Sequence, residues 1–449
     1  MKKIVILGAG PTGLGAAYQL RKLDYKKWQI YEKNNYVGGL SASFRDGKGF
    51  TWDIGGHVIF SSNNRFNRLV DNLLGNEILT FSRESWIWLR DSFIKYPFQN
   101  NFHLHPDKGI VLECVSGLLD NLNKKDSYKN FEEWIYSFFG EGIAKYFMIP
   151  YNKKVWACPL KKMDYNWISE RVSTTDVHSI LKNIIYQRDD SDWGPNNTFR
   201  YPIVGGVCGL FNKFLPYTNG HLQLGKEVTR ILPDRKEVIF ENGERVSYDV
   251  LISTIPLNEL LKKIIMKSKL GEIGKSAAKL LWNSGYMVGI GIKKPCPSKK
   301  NWMYFPQDDS PFYRVTYLSN YSPNMTPKGN FFSFLAESSY SKYKAASRDT
   351  IIEETIQGLI NSKLITEEDR SLIVSTYMID APYSFPIPFL GRDKILKEIQ
   401  SFLMKNGIFS RGRFGGWKYE VGNMDHSVLQ GMEVVDRILL GKEESVYKS

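Results

Sequence analysis

Residues 4–13 read Ile-Val-Ile-Leu-Gly-Ala-Gly-Pro-Thr-Gly, an apolar run that continues into the pattern G-x-G-x-x-G. The run predicts a short buried strand, and the apolar residues of the following segment, 14–20, recur with helical spacing. In such a strand–turn–helix the first glycine makes the tight turn, the second lets the backbone approach a pyrophosphate, and the third lets helix and strand pack closely. The free N–H groups at the start of the helix face the phosphates. The pattern therefore predicts a dinucleotide-binding unit with Gly8, Gly10 and Gly13 in its phosphate loop.

An acidic residue stands where this unit needs one. Trp28–Tyr31 has the composition of a second buried strand, and Glu32 follows it directly. Glu32 lies about 20 positions after the third glycine, where an acidic side chain binds a ribose hydroxyl. The strand, the helix and the acid at this spacing together favour a cofactor loop over an ordinary glycine-rich turn.

A second glycine pair indicates which dinucleotide is bound. Gly38 and Gly39 come just after the acidic strand, as they do in FAD-dependent oxidases, whereas NAD dehydrogenases as a rule carry no such pair there. We therefore expect FAD, bound by the loop glycines and Glu32 together with Gly38, Gly39 and Leu40. Amine-oxidase-like flavoproteins usually have Arg after the pair, so Leu40 argues against an amine oxidase.

The composition of the chain limits the classes of protein to which it can belong. The chain has 449 residues, 42% of them hydrophobic, so it can bury large cores and is not predicted to be disordered. Its net charge of +13 favours anionic partners, but the basic residues are dispersed and form no nucleic-acid module, so no nucleic-acid partner is expected. No apolar stretch of about 18 residues occurs, so no membrane span is predicted. The 4 cysteines lack a CxxC pair, so we expect no disulfide scaffold, no metal site and a cytoplasmic location.

The order of the patterns predicts an α/β fold with a discontinuous Rossmann-like FAD-binding domain. We assign residues 1–95, 200–270 and 395–449 to this domain. The later segments are included because a buried strand at Asp249–Thr254 and a strand running into a glycine turn at 408–416 recur in the same class of flavoproteins.

Two insertions divide this domain. Residues 98–190 are helix-patterned, with a long helical stretch from Met163 to Tyr186, and predict a helical substrate-binding domain with mobile loops. Residues 275–390 alternate as strands and predict an antiparallel-sheet domain. The polar tail, 441–449, is expected to fray.

A series of longer strings carries a specific resemblance. Over about residues 1–440 the chain resembles the eukaryotic type of the UDP-galactopyranose mutase family. The strings, in this order, are GAGPTGLGAA, GGHVIF, YPFQNN, PYNKKVWA, ERV, WGPNNTFRYP, PFYR, SNYSP and SRGRFGGWKYEVGN.

The resemblance implies an isomerase that interconverts UDP-galactopyranose and UDP-galactofuranose in galactofuranose biosynthesis. The reaction is redox-neutral, yet the family requires reduced FAD. N5 of the reduced flavin attacks the anomeric carbon and displaces UDP, a flavin–iminium intermediate forms, and the sugar's own hydroxyl closes the smaller ring before UDP returns. The family also implies NADPH or NADH as the reductant. Its members include monomers and larger assemblies, so the oligomeric state stays open.

The resemblance also implies which residues hold the diphosphate. Arg171 and Arg314 would bind it, because the guanidinium fork suits phosphate oxygens, and we expect both arginines to be catalytic together with His57. The hydroxyl donors to the diphosphate would be Tyr304, Tyr383 and Tyr419. Taken singly, such arginines are more often surface ion pairs and such tyrosines half-buried core residues.

Other substrate contacts follow from the same strings. Asn152 and Trp156 lie four positions apart, so a helix would put them on one face, and by resemblance they line the sugar and diphosphate pocket. Gln99 is favoured as the uracil partner because amides pair with uracil edges. Alternatives in the same stretch are Tyr96, Phe98 and Asn100.

Three segments are expected to approach the flavin or to move. Gly412 and Arg413 would lie beside the flavin, with Arg413 also near the sugar. His57, flanked by glycines, would contact the flavin near N5 and influence its reduction without acting as a general base. Asn196, in the Gly-Pro-containing loop 193–197, would contact substrate when the loop closes and excludes water.

Three alternative functions stay open. An FAD-dependent oxidoreductase of the amine-oxidase or protoporphyrinogen-oxidase type would share the fingerprint, but it would not need paired diphosphate arginines. A mutase acting on a different nucleotide sugar would share nearly every motif. A sugar-nucleotide or nucleic-acid binder could also keep a flavin fold without catalysing a reaction.

Overall fold

The structure is a computed structural model that describes residues 1–122, 128–168, 172, 177–190, 197–266 and 271–448. Its strands, in chain order, are β1 (Ile4–Leu7), β2 (Trp28–Tyr31), β3 (Ser43–Arg45), β4 (Thr51–Asp53), β5 (Ile78–Ser82), β6 (Ser85–Leu89), β7 (Ser92–Lys95), β8 (Thr198–Pro202), β9 (Leu222–Gln223), β10 (Val228–Leu232), β11 (Glu237–Phe240), β12 (Arg245–Ser247), β13 (Val250–Ser253), β14 (Trp282–Ile292), β15 (Trp302–Tyr304), β16 (Arg314–Tyr317), β17 (Phe332–Tyr340), β18 (Ile373–Pro386) and β19 (Ile408–Ser410).

The helices, in chain order, are α1 (Pro11–Lys22), α2 (Asn64–Leu74), α3 (Phe98–Asn101), α4 (Lys108–Asn121), α5 (Phe131–Ile143), α6 (Ile149–Trp156), α7 (Val177–Tyr186), α8 (Cys208–Asn212), α9 (Leu257–Lys263), α10 (Gly271–Ala277), α11 (Ile351–Asn361), α12 (Arg392–Lys405) and α13 (Met424–Leu440). A π-helical stretch, Ala144–Met148, joins α5 to α6.

A five-stranded parallel sheet forms the first layer, in the order β19-β13-β1-β2-β9. All residues of the central strand β1 are buried, as expected for a parallel sheet covered on both faces. Ile4 and Ile6 pack into one core with residues of α1 and α13. Val5 and Leu7 face the opposite core, which contains residues of α12 and of the β10–β12 sheet. The Rossmann-like α/β fold predicted from the sequence is confirmed.

The sheet draws its strands from distant parts of the chain. β1 pairs in parallel with β13, with Ile4 opposite Val250 and Leu7 opposite Ser253. β13 in turn pairs with β19, where Ile252 faces Phe409.

A seven-stranded sheet forms the second layer, in the order β18-β14-β17-β16-β15-β6-β7. β6 and β7 lie before residue 95, inside the segment assigned from sequence to the FAD-binding domain. They join this second sheet instead, because β6 pairs with β15, with Trp86 opposite Met303. The backbone of a buried strand must find hydrogen-bond partners, and β15 supplies them. The first FAD-binding segment therefore ends earlier than predicted.

The helical layer contains α3 to α7 around an aromatic core that includes Phe131, Trp134 and Trp156. The long helical stretch predicted from Met163 to Tyr186 is wrong over its first residues. Met163 makes an isolated bridge with Phe389, and the side chain of Asp164 accepts the backbone N–H of Asn166 at 2.8 Å, which forms a turn.

The C-terminal tail is held against the protein, contrary to the expectation that it frays. Glu433 of α13 accepts the backbone N–H groups of Ser445 and Val446 at 2.8 and 2.9 Å. The Tyr447 hydroxyl donates to the carbonyl of Gly416 at 3.0 Å. The tail therefore packs beside the segment that follows β19.

Among the helices of the described residues, none combines the length and the apolar character that a bilayer-crossing segment requires.

Candidate active site

The glycine loop after β1 has the geometry that a dinucleotide needs. Gly8 has a φ of +101°, and a Cβ at this position would lie 2.1 Å from the Thr254 hydroxyl. A Cβ on Gly13 would lie 1.9 Å from the carbonyl oxygen of Gly8, so helix and turn pack with no room for a side chain. α1 begins with Gly10 as its N-cap and has no side-chain cap, so its first turn faces the loop with N–H groups that can bind phosphate.

Two further glycine segments converge on this loop. A Cβ on Gly39, which has a φ of +53°, would lie 3.2 Å from the Cα of Gly10. Gly412, with a φ of +89°, leaves no room for a Cβ because the Thr12 hydroxyl would lie at 2.5 Å. Its N–H donates to the side chain of Gln430 at 2.8 Å. The three segments thus form a cradle of backbone into which a long cofactor can fit closely.

Glu32 lies beside the cradle at the end of β2. It is 6% exposed, and one carboxylate oxygen accepts the N–H of Ala9 at 2.7 Å. The other oxygen accepts the N–H of Asn34 at 2.9 Å. These bonds orient the carboxylate next to the glycine loop, where the ribose of a dinucleotide would lie.

A cavity of about 530 Å³ opens beside the cradle, between the seven-stranded sheet and the helical layer. The residues predicted from sequence that line it are Leu40, His57, Tyr96, Tyr304, Arg314, Arg413 and Tyr419. The residue that follows the second glycine pair, the two arginines and the hydroxyl donors therefore border one cavity.

Arg314 enters this cavity from the start of β16 and is held by Glu337. Its Nε donates to one oxygen of Glu337 at 2.6 Å, and its Nη2 donates to the other at 2.8 Å. Burial alone would raise the pKa of Glu337, but the Arg314 guanidinium and several hydrogen bonds outweigh burial and hold that pKa below its usual value. The pair is therefore ionised, and it presents a fixed guanidinium to the cavity.

His57 lies on the turn that follows β4. The pKa of its imidazole is lowered to about 4, chiefly by burial and also by the nearby Arg413, while Glu337 opposes the shift. The imidazole is therefore neutral near pH 7. Its Nδ1 is buried and makes no hydrogen bond to any described residue, so this nitrogen is available to a ligand in the cavity.

Arg413 lies over aromatic rings at the other side of the cavity. Its guanidinium carbon is 4.9 Å from the centroid of the Phe385 ring and 5.8 Å from that of Tyr419. Such stacking keeps the planar cation in one orientation.

Three tyrosines form a further wall. The Tyr96 and Tyr304 rings lie 4.9 Å apart, and the Tyr151 and Tyr304 rings lie 5.3 Å apart in an edge-on arrangement. The Tyr304 hydroxyl accepts the indole N–H of Trp302 at 2.7 Å, which leaves its own proton for an acceptor in the cavity.

Asn152 and Trp156 share one face of α6, as the spacing predicted. The indole N–H of Trp156 donates to Asn152 Oδ1 at 3.2 Å, and Asn152 Nδ2 donates to the carbonyl of Met148 at 2.7 Å. They form the layer behind the cavity wall, because the Trp156 ring packs against the ring of Tyr419 at 4.9 Å.

Besides Asn152 and Trp156, which were predicted to line the pocket, Gln99 and Tyr383 also lie away from the cavity lining. Gln99 is 2% exposed on α3. The hydroxyl of Tyr383 donates to Glu259 at 3.0 Å and accepts from Asn258 at 2.9 Å, and its ring stacks on Trp282. The hydroxyl of Tyr383 is thus engaged on the side of α9, which differs from the predicted diphosphate contact. Arg171, Asn196 and most of the loop 193–197 lie outside the described residues.

Two functional candidates were missed in the sequence. Glu337 is the one charged residue of the buried strand β17, and a charged residue in a buried strand signals a buried partner. Tyr151 lies directly before Asn152, so the string that marked Asn152 also contained it.

Comparisons with known proteins support the dinucleotide-binding fold. A family model described as an NAD(P)-binding Rossmann-like domain matches residues 6–73. Rat prenylcysteine oxidase 1 is 21% identical over 308 residues, which is 60% of this chain and 58% of that protein. A putative protoporphyrinogen oxidase from Exiguobacterium sp. 255-15 has the same fold, with a TM-score of 0.73 at 15% identity over 98% of this chain and 99% of the other. Matches at this level of identity show the fold that these proteins share with this chain.

One solved structure is far more similar. The crystal structure of reduced UDP-galactopyranose mutase superposes with a TM-score of 0.97 and is 43% identical, covering 100% of this chain and 96% of that one. Identity of this level over the full length goes well beyond a shared fold. The chain therefore belongs to the UDP-galactopyranose mutase family of isomerases.

Proposed function

We propose that this protein interconverts UDP-galactopyranose and UDP-galactofuranose, with reduced FAD as its cofactor. The observation that carries the proposal is the single cavity in which Leu40 of the cradle, His57, Arg314 and Arg413 all meet. The family relationship supports a nucleotide sugar as the substrate. Reduced FAD would supply a nucleophilic nitrogen, N5, to the anomeric carbon of the sugar.

The diphosphate of the substrate would bind at Arg314. Of the five N–H donors of a guanidinium, Glu337 occupies those on Nε and one on Nη2. The others remain for phosphate oxygens. We assign Tyr304 and Tyr419 as hydroxyl donors to the same group, because both line the cavity. From the family resemblance we keep Arg171 as the second cation and Asn196 as a contact.

The remaining residues would orient the sugar and exclude water. Arg413 is fixed over the Phe385 ring, so it can hold both the sugar and the flavin. The wall of Tyr96, Tyr151 and Tyr304 is apolar apart from its hydroxyls, which limits the water that could compete with the sugar hydroxyl. We place the uracil at this helical side and keep Gln99 and the neighbouring Tyr96 as its candidate partners.

His57 would contact the cofactor as a neutral imidazole. Burial lowers its pKa to about 4, so at pH 7 it has one N–H donor and one acceptor nitrogen. We assign it an influence on flavin reduction, for which NADPH or NADH is the proposed electron donor.

The decisive experiment compares two redox states. The FAD-loaded protein, either reduced with dithionite or left oxidised, is mixed with UDP-galactofuranose, and the products are separated by chromatography. We expect UDP-galactopyranose only from the reduced protein. Equal conversion by the oxidised protein would contradict the proposal, and steady oxygen consumption with an amine or a porphyrinogen would instead indicate an oxidoreductase. The same assay with other UDP-pyranoses tests the choice of sugar.

A further inference from the structure

Glu337 lies at the centre of the candidate active site, although no motif marks it. It stands on β17 directly opposite Arg314 in the β16–β17 ladder and is 2% exposed. Both of its carboxylate oxygens accept more than one hydrogen bond. Besides the two bonds from Arg314, one oxygen accepts the N–H of Gly56 at 3.1 Å and the other accepts the Tyr313 hydroxyl at 2.8 Å.

These bonds fix the direction of the Arg314 guanidinium. A long arginine side chain has many rotamers, and ordering it costs about 1.5–2 kcal/mol. A bidentate contact with a buried carboxylate holds the plane of the guanidinium before any ligand arrives. Arg314 lines the cavity, so the N–H donors that Glu337 leaves are oriented in advance.

The bond to Gly56 connects the same carboxylate to the His57 turn. Gly55 has a φ of +89°, and a Cβ on Gly56 would lie 2.6 Å from the Thr316 hydroxyl and 3.3 Å from Glu337 Oε1. The turn therefore lies directly against the carboxylate, with no side chain between them. A shift of Glu337 would move the backbone on which His57 is carried.

We propose that Glu337 is a positioning residue for the reaction, holding Arg314 towards the nucleotide diphosphate and the Gly55–His57 turn towards the flavin. This inference rests on the proposed function. The competing explanation is a buried ion pair that only contributes to folding, and such pairs often contribute little net stability. The two explanations differ in whether Glu337 affects UDP binding through Arg314.

A double-mutant cycle separates them. The dissociation constant for UDP is measured by calorimetry on the FAD-loaded full-length protein and on the variants Glu337→Gln, Arg314→Ala and the combination of both. We expect Glu337→Gln to weaken UDP binding about 10-fold in the wild-type background and less than about 2-fold in the Arg314→Ala background, because coupled residues are non-additive. Equal losses in both backgrounds would overturn the proposal.

Asp369→Asn is the matched control. Asp369 is also a buried carboxylate, 7% exposed, and it accepts the Lys294 ammonium at 2.9 Å, but it is absent from the described cavity lining. This variant should change the midpoint of urea unfolding and leave the UDP dissociation constant unchanged.

Glu337→Asp tests the same idea if Glu337→Gln folds poorly. The aspartate keeps the charge, but it is one methylene too short to reach Arg314 and Gly56 together. We expect this variant to retain FAD, to bind UDP several-fold more weakly and to be reduced by NADPH more slowly than wild type. UDP affinity and a reduction rate equal to wild type would overturn the proposal.

UDP binding and sugar conversion by the wild-type protein distinguish a failure of this proposal from a failure of the proposed function. Wild type that fails to bind UDP would overturn both proposals. Wild type that binds UDP and converts the sugar, combined with an additive cycle, would overturn the role of Glu337 alone.

Discussion

At the scale of single residues, Arg314, the proposed diphosphate-binding residue, depends on a partner on another strand. The string that contains it indicates a diphosphate contact. Its orientation, however, comes from Glu337 on the neighbouring strand. The guanidinium is charged and aimed before substrate arrives, which lowers the entropic cost of binding.

Arg314→Ala should therefore lower kcat/KM by about 2–4 kcal/mol of transition-state stabilisation, because a charge-assisted contact is lost. Steady-state kinetics of the reduced enzyme measure this loss. Arg370→Ala is a suitable control, because Arg370 forms exposed ion pairs with Glu353 and Glu367 and is absent from the cavity lining. By family resemblance the same loss is expected for Arg171→Ala. Unchanged kinetics in both active-site variants would remove the diphosphate assignment.

His57→Ala should leave FAD bound and slow the reduction of the flavin. The cradle that holds the cofactor is made of other residues, whereas the imidazole lines the cavity next to it. Stopped-flow absorbance with NADPH measures the rate, and FAD content measured after gel filtration checks binding. His178→Ala, at an exposed position, is the control. A reduction rate equal to wild type would make His57 a structural residue.

The same histidine predicts a pH dependence of stability. Burial lowers its pKa from 6.5 to about 4 in the folded protein, so between these values the unfolded chain binds a proton that the folded chain does not. Its contribution to stability is then complete above 6.5 and is lost as the pH falls. The free energy of unfolding in urea should therefore fall more steeply in wild type than in His57→Ala across this interval. If the unfolding free energies of the two proteins fell in parallel with pH, the lowered pKa of His57 would be contradicted.

At the scale of elements, the segment after β19 is held from behind by the C-terminal tail. Arg411 is fully buried, and its Nη2 donates to Glu444 at 2.7 Å. The Arg411 guanidinium also lies 4.6 Å from the centroid of the Tyr447 ring. Gly412 and Arg413 follow directly, so the tail supports the part of the chain that faces cofactor and cavity.

Glu444→Ala should cost about 3–5 kcal/mol of unfolding free energy, because it leaves a buried guanidinium without its carboxylate. It should also weaken FAD retention. Urea unfolding and the absorbance of bound flavin measure the two effects. The neighbouring Glu443 is exposed, and Glu443→Ala should change neither. A stability equal to that of wild type would show that the tail is not a support.

At the scale of the whole molecule, the cavity exists only because the layers meet. Leu40 comes from the dinucleotide cradle, Arg314 and Glu337 from the seven-stranded sheet, and Tyr151 from the helical layer. The cofactor would bind along the cradle. It would then complete the wall of the cavity that the seven-stranded sheet and the helical layer also form.

Removing FAD should therefore lower the melting temperature, and adding FAD back should restore it. A cofactor that binds only the folded state stabilises it by about 3–4 kcal/mol at several hundred times its dissociation constant. Thermal unfolding followed by circular dichroism measures the effect. Addition of NAD serves as the control and should not restore the melting temperature. Restoration by NAD instead of FAD would contradict the flavin assignment.

The sequence alone determined the glycine loop, the strand that ends at Glu32 and the family. The loop and the strand depend on contiguous residues and on spacings within one βαβ unit, so local periodicity and backbone requirements are enough to reveal them. The family resemblance depends on longer strings, each of which is contiguous in the chain. The sequence also placed Arg314, His57 and Arg413 near one another, through the family resemblance.

Only the tertiary structure decided that β6 and β7 join the second sheet, that the Tyr383 hydroxyl turns towards Glu259 and that the tail is held. It also brought Glu337 to Gly56, which lies 281 positions earlier in the chain. Such contacts follow from strand pairing and from the need of buried charges and backbone groups to find partners. The local sequence around one residue of such a contact does not encode the contact, because its partner lies in a different segment of the chain.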